Sequence, residues 1–146
     1  MKRMLKISMK YTVLALMGGV FYREFTKLND FTGITSLSKV HVHLMVLGVF
    51  MFMILALFAK STSLLEDKNF NKFLYVYNIG MAIAVIMMIV RGITQVLATP
   101  LSYGMSMAIS GVAGVGHILL GIGLIWVILI LIRVSEDDKD ESSSII

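Results

Sequence analysis

Four long apolar runs restrict the possible folds of this chain more than any other feature of its sequence. They cover about residues 4–22, 38–59, 73–97 and 107–132. Each run is long enough to cross a hydrocarbon core about 30 Å thick as a helix that rises about 1.5 Å per residue. The runs are continuously apolar instead of alternating, which argues against transmembrane β-strands. Because backbone groups in lipid must pair within their own segment, each run is predicted to be a transmembrane helix.

The composition of the chain agrees with lipid as its solvent. Of the 146 residues, 58% are hydrophobic and 15% are charged, whereas soluble domains average about 45–50% apolar and about 25% charged residues. The sequence therefore predicts an all-α integral membrane four-helix bundle with up-down topology, formed by residues 1–134. The polar tail that follows, residues 135–146, is predicted to be disordered and cytoplasmic.

The first run also has the charged start and short apolar core of a signal peptide. However, the bulky residues Phe21 to Phe25 stand where a small-residue cleavage site would be needed. The run is therefore predicted to remain in the protein as the first span.

Basic residues predict the orientation of the spans. With the N-terminus in the cytoplasm, the outer segments carry only Arg23, Lys27 and Lys39, and the other basic residues outside the spans lie on the inner side. This asymmetry satisfies the positive-inside rule, so both termini are predicted to be cytoplasmic, in a bacterial cytoplasmic membrane. Basic residues that flank spans do not form one patch, and nucleic-acid binding is not indicated.

The chain has no cysteine, which excludes disulfides, cysteine-ligated zinc, iron–sulfur clusters and covalently attached c-type haem. Any metal would have to be bound by histidine, methionine, carboxylate or carbonyl groups. The sequence contains no HExxH motif, phosphate-binding loop or recognisable Ser–His–Asp set, so hydrolase or transferase activity is not indicated.

Polar residues within the spans gather in the half predicted to face outward. A charge in hydrocarbon costs at least about 2.5–3.5 kcal/mol, so such residues usually face the bundle interior. Arg91 and Gln95 are one turn apart and form one polar stripe; the structural alternative is that Arg91 snorkels outward or pairs with Glu24. The candidate site residues are His41, His43, Arg91, Gln95, His117 and, at the outer end of the first span, Arg23.

The three histidines are the strongest candidates for ligands. His41 and His43 are two residues apart, about 200° around a helix, so both cannot line one interior site. Two imidazoles from neighbouring spans are typical axial ligands of haem b in a bundle. His117 is predicted to pair with His41 or His43, although the estimated depths differ by ~10 Å for His41. Gly114 and Gly121 beside His117 either allow close helix packing or make room for a flat macrocycle.

Four stretches carry a resemblance to known proteins: residues 19–27 (GVFYREFTK), 40–48 (VHVHLMVLG), 90–95 (VRGITQ) and 114–120 (GVGHILL). Together they resemble a family of short four-span bacterial membrane proteins known only as a domain of unknown function. This resemblance covers most of the chain except its tail, and it implies no established activity.

Residues 40–48 also resemble the first haem-ligand motif of the main subunits of haem-copper oxidases and nitric oxide reductases. That resemblance implies His41 as a haem ligand, with His43 in the place of the family's asparagine. The chain lacks the further histidines of an oxidase's binuclear centre, so oxygen reduction is not implied.

Three functions are compatible with these residues. The first is binding of haem b for electron transfer, haem handling or gas and redox sensing, with Arg91, Gln95 and Arg23 near the propionates. The second is binding or transport of a metal ion or small molecule, in which thioethers could join His41 and His117 as copper ligands; the candidate methionines are Met45, Met87, Met88, Met105 and Met107. The third is a non-catalytic accessory subunit of a respiratory or redox membrane complex, and an outward-facing histidine would also suit a homo-oligomer contact.

Overall fold

Four long helices make up the protein in a computed structural model, which describes the backbone of residues 1–143 and the side chains of residues 1–137. The helices are α1 (Lys2–Leu28), α2 (Leu37–Ser61), α3 (Phe70–Val96) and α4 (Tyr103–Ser143). All four are long and apolar enough to cross a membrane, and no strand occurs in the described residues. The predicted all-α architecture of a multi-pass membrane protein is thus confirmed, whereas the side of the membrane that each terminus occupies stays a prediction.

The helices differ from the predicted spans mainly at their ends. α4 begins at Tyr103 instead of near residue 107 and continues to Ser143. The segment predicted to be a disordered tail is therefore helical as far as Ser143, and its residues 144–146 lie outside the described part. Extending an existing helix adds one hydrogen bond for each residue that is ordered, so elongation needs no new nucleus even in a polar sequence.

α1 and α3 finish at the same end of the bundle, called here the outer end, and they finish in the same way. Asp30 and Ala98 each have a φ of 48°, in the left-handed region. After α1, the Phe31 amide donates to the Thr26 carbonyl at 2.9 Å. The equivalent hydrogen bond after α3 runs from Thr99 to Thr94 and measures 3.0 Å. These are Schellman motifs formed without glycine.

α3 and α4 form the tight antiparallel pair that the short loop between them predicts. Their backbones approach closely where glycines face the partner helix. A Cβ atom added to Gly116 would lie 2.7 Å from the Ala84 nitrogen, and one added to Gly80 would lie 2.8 Å from the Leu120 nitrogen. Lipid does not drive helices together through the hydrophobic effect, so such close van der Waals packing is what stabilises this pair.

A π-helical segment, Leu44–Phe50, interrupts α2 just after its second histidine. Two of its carbonyl groups accept hydrogen bonds from hydroxyls of neighbouring helices. The buried Tyr77 hydroxyl in α3 donates to Leu47 at 2.8 Å, and the buried Ser8 hydroxyl in α1 donates to Val49 at 3.1 Å. The segment is therefore held from two sides by groups that satisfy its carbonyls.

Replacing Tyr77 by phenylalanine is expected to lower the free energy of unfolding by about 1 kcal/mol, because the Leu47 carbonyl loses a donor in a water-free interior. Unfolding of the detergent-solubilised protein, followed by circular dichroism, measures this change. Tyr75→Phe is the matched control, since Tyr75 is 69% exposed. Equal stability of the two variants would contradict the structural role of the Tyr77 hydroxyl.

Candidate functional site

A cavity of about 490 Å³ lies toward the outer end of the bundle, mainly between α3 and α4. It contains three of the residues singled out in the sequence, namely Arg91, Gln95 and His117. Two thioethers and two hydroxyls also reach its wall. The lining residues are Ser36, Met87, Met88, Arg91, Gln95, Ile109, Ser110, Ala113, Gly114 and His117.

Arg91 crosses the cavity wall from α3 to α4. Its guanidinium donates to the Ser106 carbonyl at 3.0 Å, to the Ser106 hydroxyl at 3.4 Å and to the Ser110 hydroxyl at 2.5 Å. Glu24, the alternative partner that the sequence suggested, instead lies beside Arg23. Among the described side chains no carboxylate pairs with Arg91. The cavity therefore contains a positive charge that is hydrogen-bonded only to neutral oxygens, an arrangement that favours an anionic group.

Gln95 links the end of α3 to the start of α2. Its side-chain oxygen accepts a hydrogen bond of 2.7 Å from the Ser36 amide. One turn earlier in α3, the Gly92 carbonyl accepts a 3.0 Å hydrogen bond from the buried Thr35 hydroxyl. The first contact satisfies the Ser36 amide just before α2, which has no partner within that helix. Both contacts place the histidine-bearing turn of α2 next to α3.

His43 and His117 form the one pair of histidines that the structure brings into ring contact. Their ring centroids are 6.1 Å apart and the ring planes are nearly perpendicular, at 86°. In each ring Nδ1 is bonded to the carbonyl four residues earlier, at 3.0 Å to Lys39 and at 2.8 Å to Ala113. A carbonyl can only accept, so each Nδ1 carries a hydrogen, and in the neutral form of the ring Nε2 presents a lone pair. A hydrogen bond from Nδ1 to a carbonyl is a common way in which proteins orient histidine ligands toward metals.

His41 lies in a different place, in the contact between α1 and α2. Its Nδ1 donates to the Ala15 carbonyl at 2.8 Å, and the ring packs beside Gly19. The separation of His41 from His43 agrees with the 200° expected for helix positions two apart. The structure brings His43, and not His41, into ring contact with His117. The ligand role that the oxidase resemblance implied for His41 stays a prediction.

The register of α4 explains why His43 and His117 meet despite their predicted difference in depth. His117 lies 14 residues after the start of α4 at Tyr103, whereas His43 lies six residues after the start of α2 at Leu37, so their ring contact places the first turns of α4 beyond the start of α2. The depth estimate assumed that both helices start at the same level. That assumption was wrong, because the two rings are in contact although they lie at different distances from the starts of their helices.

Arg23 is outside this cluster. Its side chain is 81% exposed, and its Nε lies 3.7 Å from a Glu24 carboxylate oxygen. It does not line the cavity with Arg91 and Gln95. The sequence placed Arg23 at the right end of the bundle, but position along the membrane normal does not determine the lateral direction of a side chain.

The glycines of α4 divide into two groups with different surroundings. Gly116 and Gly123 face α3, where an added Cβ would touch Ala84 or Tyr77. Around Gly111, Gly114 and Gly121, by contrast, no described atom lies within 4 Å of an added Cβ, beyond those of the helix itself and the adjacent residues. One face of α4 therefore packs closely against α3, as one interpretation of the glycines predicted, and another face leaves free space beside His117.

Metal coordination by side chains alone is limited at this site. In the described part of the chain, no group of three or more His, Asp or Glu residues is placed to hold a metal ion. A metal at His43 and His117 would need further ligands from the nearby thioethers or from a macrocycle. Haem b requires only two axial ligands from the protein, whereas a copper ion could use Met87 or Met88.

Some residues of the site were not identified from the sequence. Ser106 and Ser110 lie before or at the start of the fourth apolar run and looked like ordinary polar residues, although their spacing of four places them on one helix face. Thr35 lies in the loop before α2, and nothing in the sequence indicates its buried contact with Gly92. Contacts between distant segments of this kind depend on how the helices pack.

The similarity of the chain to other proteins rests on one family match. The model of a family described as "Protein of unknown function (DUF2871)" matches residues 1–134. No curated protein and no solved structure matches the chain. The match confirms the resemblance to a family of unknown function, and it includes the whole cavity and both members of the histidine pair.

Proposed function

The chain belongs to the DUF2871 family of proteins of unknown function, and we propose that it binds haem b in the membrane through His43 and His117. The observation that carries the proposal is the pair of imidazoles with ring centroids 6.1 Å apart. Each ring has Nδ1 tied to a carbonyl and Nε2 left to coordinate. Such a pair would supply both axial ligands of haem b for electron transfer or for gas and redox sensing.

Arg91 supports this proposal through its charge. Haem b carries two propionate groups, which need cationic or hydrogen-bonding partners away from water. Arg91 has no carboxylate partner among the described residues and lines the same cavity as His117. A propionate would compensate the guanidinium charge by charge-assisted hydrogen bonds. Gln95 lines the same cavity, and its side-chain amide nitrogen could donate to a propionate as well.

The direct test is an absorption spectrum of the full chain, purified in detergent after expression with ample haem. We expect a Soret band and, after reduction, the sharp visible bands of a haem with two nitrogen axial ligands. A sample that is folded by circular dichroism but has no Soret band would overturn the proposal.

The free space along α4 gives a prediction that separates a macrocycle from a single metal ion. Gly114→Leu is expected to lower the haem-to-protein ratio about tenfold or more, because the side chain would occupy the space beside His117. Gly104→Leu is the matched control, since the space around Gly104 is also free but lies more than three turns from His117. The pyridine haemochromogen assay measures the ratio, and retention of haem in Gly114→Leu would contradict a macrocycle at this face.

A copper site is the second candidate, because Met87 and Met88 line the cavity that contains His117. Thioether and imidazole groups together suit Cu(I). Of the other methionines considered, Met45 packs against the core and Met105 and Met107 are more than half exposed. Elemental analysis distinguishes the two candidates: copper lost in Met87→Leu/Met88→Leu but kept in Met105→Leu/Met107→Leu would favour copper over haem.

A further inference from the structure

A second and larger cavity of about 740 Å³ forms a groove between α1 and α3. Its walls are almost entirely apolar and include Ile7 and Leu14 from α1 and Ile79, Ala82 and Ile86 from α3. Several of these side chains are well exposed in the bundle, Ile79 and Ile86 each at 52%. The groove is separate from the cavity that contains His117.

One end of the groove is strongly basic. Arg3 and Lys10 line the groove itself, and together with Lys2 and Lys6 they also line an adjoining cavity of about 430 Å³. Among the described residues no carboxylate pairs with these four side chains. Arg3 donates to a neutral group, the Asn71 side-chain oxygen, at 2.6 Å. A cluster of four uncompensated cations thus continues directly into an apolar groove.

The backbone of α1 adds to this positive charge. The helix begins at Lys2, has no acidic residue in its first turn and has no side-chain cap at its N-terminus. The N-terminal end of a helix already has a partial positive charge and amide groups without partners. Cations are unfavourable at that position, so an anion bound there would stabilise the end of α1.

Polar groups inside the groove are already satisfied by each other. The Tyr11 hydroxyl donates to the Asn78 side-chain oxygen at 2.5 Å, and the Asn78 amide donates to the Leu74 carbonyl at 2.6 Å. The region beyond the basic end therefore presents a mainly apolar surface to an occupant, with the exposed Tyr75 side chain as a further polar group in the lining. A hydrocarbon chain suits such a surface, whereas a ligand that is polar throughout does not.

We propose that this groove binds an anionic phospholipid, with its phosphate among Lys2, Arg3, Lys6 and Lys10 and one acyl chain along α3. The lining residues of α3 run from Leu74 to Ile89, a distance of about 22 Å at 1.5 Å per residue. One leaflet provides about half of a 30 Å hydrocarbon core, so the groove is long enough for an acyl chain of that leaflet. The basic end lies on the side predicted to face the cytoplasm, where anionic lipids attract basic residues.

Native mass spectrometry of the detergent-solubilised full chain tests the proposal. The protein is titrated with phosphatidylglycerol and, separately, with phosphatidylcholine that has the same acyl chains. We expect one phosphatidylglycerol molecule to bind first and more tightly than phosphatidylcholine. Arg3→Gln/Lys10→Gln should weaken phosphatidylglycerol binding roughly 30-fold, since each basic residue near an anionic lipid contributes about fivefold.

Two matched controls separate this site from general attraction to lipid. Lys68→Gln/Lys72→Gln removes the same charge from exposed residues that line neither cavity, and it should leave the affinity for phosphatidylglycerol unchanged. Ala82→Trp fills the groove and should reduce the binding of both lipids, whereas Ala108→Trp, on an exposed position of α4, should reduce neither. Circular dichroism checks that each variant is folded.

Three results would overturn the proposal. Equal affinity for the two lipids would show that the site does not prefer an anionic headgroup to a zwitterionic one. An equal loss in Lys68→Gln/Lys72→Gln would indicate non-specific electrostatics. A folded Ala82→Trp variant that keeps full lipid binding would show that the groove does not hold the acyl chain. The same conclusion would follow if the only change in this variant were the loss of a protein dimer from the mass spectrum.

Discussion

Replacing either His43 or His117 by alanine is expected to abolish the Soret absorption of the purified protein. Each substitution removes one of the two proposed axial ligands, whose ring centroids are 6.1 Å apart in the intact protein. The remaining imidazole then has no second imidazole opposite it. Loss of an outer-shell partner of a metal ligand already costs about 10–100-fold in affinity, and loss of the ligand itself should cost more. Haem content per folded protein, measured by absorption and by the haemochromogen assay, tests the prediction.

His41→Ala is the matched control for this experiment. His41 lies two residues before His43 in the same helix, but its Nδ1 donates to the Ala15 carbonyl in α1. The variant should therefore keep its haem, with at most a modest loss of stability from the missing hydrogen bond. If His41→Ala loses haem while His43→Ala retains it, the ligand pair proposed here is wrong.

Gly116→Leu is expected to lower the free energy of unfolding by about 3 kcal/mol, the upper part of the range for overpacked interiors. Even a Cβ atom at Gly116 would lie 2.7 Å from a backbone nitrogen of Ala84, which cannot rotate away. The two helices must therefore separate along the seam that includes Gly80. Unfolding of the detergent-solubilised protein by denaturant, followed by circular dichroism, measures the loss.

Gly111→Leu provides the comparison, because no described atom lies within 4 Å of an added Cβ there, apart from the helix itself and the adjacent residues. Both variants replace glycine by the same good helix former in the same helix, so propensity effects cancel. We expect Gly111→Leu to be as stable as the original chain or slightly more stable. Similar destabilisation of both variants would mean that Gly116 is not at a close contact between helices.

The existence and number of the helices could be predicted from the sequence, but their ends could not. Apolar runs of this length have one stable structure in lipid, so the four spans follow from hydropathy alone. The ends of α1 and α3 depend on left-handed conformations at Asp30 and Ala98, and neither residue is the glycine that usually marks such a position. The π-helical segment Leu44–Phe50 has no sequence signal either, because its hydroxyl partners come from other helices.

The candidate site was predicted in part for the same reasons. Arg91, Gln95 and His117 could be grouped because topology places them in one half of the bundle, and all three line one cavity. The choice between His41 and His43 was open because each occupies a different face of α2, and helix periodicity does not show which neighbour each face meets. Arg23 was included by depth alone, and its exposed side chain lies outside the cavity.

The hydrogen bonds that Gln95 and Gly92 make to the start of α2 have a mechanical consequence. They join the outer ends of α2 and α3, so His43 is anchored to α3 on one side of the imidazole pair. His117 belongs to α4, which meets α3 through the Arg91 contacts and the glycine seam. The distance between the two rings therefore depends on how α2 and α4 are each attached to α3. A change in ring separation reports how far α4 has shifted, and Arg91 is the polar contact that such a shift must stretch.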